Sequence, residues 1–124
     1  MRCMAMENIV LDKSVAFATN AVKFCRKLQE EKKEYNITDQ LIRCATSIGA
    51  NLSEACYAQS PADFISKVKI AEKEANESAY WIKILHNIGY MPDKTYYKFY
   101  DETSQIKRLL SAIIVCKKKN LASA

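Results

Sequence analysis

Between Gln40 and Ala58 only Arg43 and Glu54 carry charge, yet the segment is not uniformly apolar. Read as a helix, it places Leu41, Ala45, Ile48, Gly49, Leu52 and Cys56 on one face. Arg43, Ser47, Asn51 and Glu54 then form a second stripe within an arc of about 80°. So little charge leaves the segment without the polar surface that an outer helix shows to water, and it reads as a central helix enclosed on several sides. Gly49 costs about 1 kcal/mol against Ala inside a helix, which predicts that a backbone or ring approaches closely there.

With two Gly and two Pro in 124 residues, the remaining chain favours long helices over turn-rich sheet, and its length suits one domain, residues 1–124. Four helices are predicted. The first spans about 12–34, capped by Asp12 or Ser14, and the second about 39–58, capped by Thr38. Ser60, Pro61 and Asp63 open the third, about 61–88, which Gly89 ends in the left-handed conformation. Asp93 after Pro92 opens the fourth, about 93–119. Connections this short return each helix antiparallel to its neighbour, so the expected fold is all-α, an up-down-up-down antiparallel four-helix bundle.

The apolar faces are wider than one bundle requires. Leu11, Val15, Ala18, Val22 and Cys25 make one seam on the first helix, and Phe17, Ala21, Phe24 and Leu28 a second beside it. On the third helix Phe64, Val68, Ala71, Ala75, Ala79 and Ile82 face a core, while Ile70, Trp81, Ile84 and Ile88 form a separate flank. Surplus apolar surface of this kind predicts a homo-oligomer. Antiparallel pairing about Gln59 and Ser60 sets Arg43 level with Glu77 and Ser47 near Lys73 and Glu74. The Arg to Glu pair expected there would fix register more than it would add stability.

Catalytic chemistry finds little support. His86 is the single histidine, no glycine-rich phosphate loop occurs, and a carboxylate metal site in a bundle needs Glu-x-x-His pairs that one His cannot supply. No enzyme, metal or cofactor is expected. Cys3, Cys25, Cys44, Cys56 and Cys116 are odd in number and lack a Cys-x-x-Cys pair, so reduced thiols are expected. Neither a membrane-spanning run nor a signal-peptide pattern is apparent, which predicts a cytoplasmic location. Charge supplies the functional hint. Residues 90–124 carry seven Lys or Arg against three acids. Lys94, Lys98, Arg108 and Lys119 fall on the outer arc of the fourth helix, which Lys117, Lys118 and Lys119 end. Lys23, Arg26 and Lys27, with Lys13, share an outer face of the first. Such a surface, multiplied around an oligomer, suits a phosphate backbone. Tyr96, Tyr97 and Tyr100 can stack on bases, although their spacing places most of them on the core face.

The run from Gln40 to Glu54 (QLIRCATSIGANLSE) resembles the signature of the bacterial four-helix bundle proteins first noted as open reading frames in intervening sequences of 23S ribosomal RNA genes. Glu7-Asn8-Ile9-Val10, Ser60 to Phe64, and Lys73-Glu74-Ala75-Asn76-Glu77 with Tyr80-Trp81 are similar to the same family, so the resemblance covers roughly residues 7 to 118. Cys44 and Cys56 stand where that family more often has small or polar residues. The resemblance implies a pentameric barrel of four-helix bundles. It also implies nucleic acid and a reverse transcriptase as partners, as for a relative, the accessory variability determinant of diversity-generating retroelements. Its polar stripe maps to Arg43, Ser47, Asn51, Glu54, Glu74 and Glu77. The alternative is a protein-binding scaffold or accessory subunit without affinity for nucleic acid.

Overall fold

A computed structural model describes residues 3–123, with side chains over 4–122. Four helices follow one another, α1 (Cys3–Lys32), α2 (Asn36–Ala55), α3 (Pro61–Asn87) and α4 (Asp93–Ser123). Each packs on the helix before and after it in the chain, and α1 also packs on α4, which closes the bundle. This is the expected antiparallel four-helix bundle.

The start of α1 corrects one expectation. The helix begins by Cys3, about nine residues before position 12, so neither Asp12 nor Ser14 caps it. The reason lies in the core seam, which continues upstream as Met6 and Val10 before Ser14, Phe17, Ala21, Cys25 and Leu28. Ser14 is fully buried inside the helix, where its hydroxyl donates to the Val10 carbonyl at 2.7 Å. The seam expected from Leu11, Val15, Ala18 and Val22 is a different matter. Those residues lie at the edge of the core, and Val15 is 56% exposed.

The α1–α2 connection is also built differently from its sequence reading. Lys33 adopts a left-handed conformation with φ 56° and ends α1 without a glycine. The Glu34 carboxylate then accepts from the backbone N–H groups of Asn36, Ile37 and Thr38 at 2.9–3.2 Å, so a side chain two residues upstream caps α2. Thr38 is buried in the first turn and accepts from Gln29 Nε2 at 2.9 Å, which ties it to α1. At α3 the reading holds, since Ser60 Oγ accepts from the Asp63 N–H at 3.1 Å and Pro61 is the first helical residue. Gly89, with φ 81°, ends that helix, and α4 starts at Asp93.

The core is made of Phe17, Leu41, Ile48, Val68, Ile82, Leu85, Ile106, Leu110 and Ile113, all almost completely removed from water. Phe99 meets Phe17 and Phe24 edge to face across α1 and α4, with centroids at 5.7 and 6.1 Å. Cys25 and Cys44 are buried free thiols, and burial pushes them up to about 12 and about 11. Cys56 is free and exposed, whereas Cys116 is disulfide-bonded, which corrects the expectation of a reduced thiol there.

Candidate nucleic-acid and assembly surfaces

The basic residues divide into two groups. Lys13 Nζ donates to Gln105 Oε1 at 2.8 Å across antiparallel α1 and α4, which brings Lys23 and Lys27 level with Lys94 and Lys98 near the α3–α4 turn. A cleft of about 240 Å³ lies there, lined by Phe24, Lys27, Glu31, Tyr90 and Thr95 among others. Lys27 also pairs with Glu31 at 3.9 Å, an exposed i, i+4 contact that leaves its charge little diminished. Arg26 departs from this group, because its guanidinium donates to Gln29 Oε1 at 3.0 Å, and Gln29 in turn reaches Thr38 and Asp39 on α2.

Arg108, Lys117, Lys118 and Lys119 lie in the other half of α4. Lys117 does not simply point outward. Its ammonium sits 4.2 Å from the centroid of the Phe64 ring, and it draws down the Glu7 carboxyl, whose pKa burial nevertheless raises overall. The nine residues expected to form one basic surface are thus spread over both ends of the bundle, with four gathered at one end.

The polar stripe of α2 also separates. Arg43 reaches α3, where Nη1 donates to Glu74 at 3.4 Å and Nη2 binds Glu77. Trp81 Nε1 approaches the same Glu77 carboxylate at 3.4 Å. Ser47 and Asn51 instead bond along their own helix, to the carbonyls of Arg43 and Ser47 at 2.6 and 2.8 Å. Glu54 faces Lys67 of α3 at 3.6 Å, with the carboxylate exposed and the lysine half-buried. Only the Arg43 end of the stripe therefore reads as a fixed inter-helix contact.

Within one chain α2 is less enclosed than its sequence suggests. Its core side is sealed, but Thr46, Ala50 and Ser53 are exposed and uncharged. Gly49 sits between them and α1, and a methyl group added there would meet Ser14 Cβ at 3.7 Å and Leu11 Cδ1 at 3.9 Å. Those are ordinary contact distances, so no close approach within the chain demands glycine. Leu11, Val15, Ala18 and Val22 continue this uncharged surface along α1 at alternating spacings of four and three. A second apolar area lies on α3, where Ile70, Tyr80 and Ile88 are exposed beside Trp81.

The aromatic residues of α4 correct one expectation, their placement on the core face. Tyr97 and Tyr100 are 64% and 57% exposed, not turned to the core. Lys83, which its sequence context does not single out, is exposed on α3. The turn at Gly89 could have exposed both, since it brings the end of α3 back beside the start of α4. Among the described residues no cluster of three or more His, Cys, Asp or Glu side chains could hold a metal ion. No helix there is long and apolar enough to cross a membrane.

A solved structure from Bacteroides thetaiotaomicron, a protein with unknown function from the S23 ribosomal protein family, is 43% identical. The match covers 88% of this chain and 97% of that one, with a TM-score of 0.86. No curated protein matches. The family model described as 23S rRNA-intervening sequence protein matches residues 6–112, which contain the Arg43–Glu77 pairing and the uncharged face of α1 and α2. The chain belongs to the 23S rRNA-intervening sequence protein family.

Proposed function

We propose that the chain is a non-enzymatic, homo-oligomeric bundle that binds nucleic acid through its basic outer surface. The observation that carries the assembly is the uncharged face shared by α1 and α2, with Val15 more than half exposed. Solvated helices do not ordinarily present such a face. It differs from the Trp81 flank of α3, and two different surfaces that meet give a heterologous contact, which closes as a ring when the rotation permits. A pentamer follows from the family resemblance and not from the packing. Lys23, Lys27, Lys94 and Lys98, gathered at one end, would then recur around the ring and add their fields.

Light scattering at micromolar concentration is expected to give a mass several times that of one chain. Val15→Glu should yield a folded species of lower mass, because an exposed position makes no demand on the core. Filter binding with structured RNA, single-stranded DNA and duplex DNA at two salt concentrations tests the second half. Phosphate binding weakens steeply with salt, and Lys23, Lys27, Lys94 and Lys98 changed to Gln should weaken it and flatten the slope. Retention of neither RNA nor DNA at low salt would favour a protein-binding scaffold instead, for which the exposed Tyr80 and Ile88 beside Trp81 are the supporting surface.

A further inference from the structure

We propose that the α3–α4 face binds nucleic acid as an unpaired strand, with bases stacking on Tyr97 and Tyr100. The inference rests on the nucleic-acid reading above, names its substrate class and adds a face beyond Lys23, Lys27, Lys94 and Lys98. Four rings form a continuous ladder at one end of this face. His86 Nε2 lies 2.7 Å from Asp93 Oδ1, and Tyr96 stacks on the His86 ring at 4.1 Å and 14°. Tyr97 and Tyr100 then flank Tyr96 at 5.3 and 6.1 Å. The two inner rings are partly buried and position the two outer ones, which are 64% and 57% exposed. An exposed ring already held in place loses little freedom when a second ring settles on it.

Cations continue from the ladder along the same face. Ser111 Oγ bonds to Glu72 at 2.6 Å and Lys117 covers Phe64, which fixes the register of α4 against α3. That register sets Lys83 about level with Tyr100, and Arg108, Lys69 and Lys118 further along. The nearby acids are partly occupied. Asp93 holds His86, Asp101 accepts from Gln105 at 2.8 Å, and Glu72 accepts from Ser111. Asp101 stays exposed, so a phosphate chain is favoured on the Lys83 side of the rings. From Tyr97 to Lys118 the face runs roughly 30 Å at 1.5 Å per helical residue, room for up to about nine nucleotides at the ~3.4 Å spacing of a stacked strand.

Strandedness follows from what the rings can touch. In a duplex the base faces are covered by their neighbours, and only grooves and phosphates are offered. An unpaired strand presents π-faces to aromatic side chains whatever its sequence. Lysines alone would not discriminate between the two.

Fluorescence anisotropy with a labelled 20-nucleotide oligothymidylate and a 20-base-pair duplex tests this. The wild-type protein should bind the single strand at least about ten-fold tighter. Tyr97→Leu with Tyr100→Leu should lose about ten-fold or more for oligothymidylate while duplex binding and the salt slope are unchanged, because stacking releases no counterions. Tyr97→Phe with Tyr100→Phe should retain wild-type affinity, and circular dichroism should show all variants folded. Lys83→Gln with Arg108→Gln should flatten the salt slope instead. Equal or tighter binding of duplex, or full single-strand affinity in the Leu variant, would overturn the stacking inference and leave nucleic-acid binding standing. Failure of the wild type to bind either probe at low salt would overturn both.

Discussion

Arg43 on α2 donates to the Glu74 carboxylate on α3 at 3.4 Å while half of its own side chain, 51%, stays in water. Glu74 is the buried member, with its side chain 12% exposed, and Glu77 shares the same guanidinium. A wholly buried pair would lose about 3 kcal/mol or more on removal of one partner, and an exposed one at most about 1. The geometry lies between. Arg43→Ala should cost roughly 1–2 kcal/mol by urea denaturation. A loss below about 0.5 kcal/mol would mean that water replaces the guanidinium at little cost.

Glu34 ends the α1–α2 connection by receiving three backbone N–H groups, a task more often given to a short polar side chain at the cap itself. Glu34→Ala should destabilise by about 1–2 kcal/mol, since it removes both the acceptors and a negative charge beside a helix N-terminus. Glu34→Gln keeps one acceptor and should recover part of that loss. An unchanged denaturation midpoint in the Ala variant would contradict the capping role.

Gly49→Ala should stabilise an isolated chain by about 0.5–1 kcal/mol, because the added methyl meets Ser14 and Leu11 at ordinary contact distances and the helix gains propensity. The comparison needs both thermal unfolding and light scattering. If the mass falls while the fold persists, the close neighbour implied by glycine belongs to another copy of the chain.

Glu102 has one carboxylate oxygen, Oε1, buried without a hydrogen-bond partner. Burial raises its pKa, with Lys98 opposing and Asp101 adding. A raised folded value means that the folded chain holds this proton more tightly than the unfolded chain. Its contribution favours folding below the unfolded pKa and is lost as pH rises through the folded one. Glu102→Gln should therefore raise stability at pH 7.5, by no more than about 1 kcal/mol for a partly solvated group, with the difference closing near pH 4. Lower stability at pH 7.5 would show that attraction to Lys98 and Lys13 outweighs burial.

Ser60, Pro61 and Gly89 announced the bounds of α3 because each acts through its own backbone, and such local rules are legible without the fold. The pairing of Arg43 with Glu77 was also foreseeable, since one short turn fixes the register between α2 and α3. The start of α1 was not. Asp12 and Ser14 imitate a cap, and only the depth of Met6 and Val10 in the core shows that the helix passes through them. Glu34 escaped for the opposite reason, as a long side chain folding back on a following helix leaves no residue-type signature. Tyr97 and Tyr100 could not be placed from spacing, because α4 is flanked by two helices and its apolar arc has room for more rings than the core accepts.

Three of the four helix pairings join neighbours through a few residues, and the fourth, α1 with α4, closes across almost the whole chain and is the most thinly packed. With the Cys116 disulfide reduced, loop-closure entropy makes that pairing the last to form and the first to part. Hydrogen exchange should then enter through the Phe17, Phe24 and Phe99 seam while α2 and α3 still hold together, so the bundle opens like a book with its spine at the turn before Pro61.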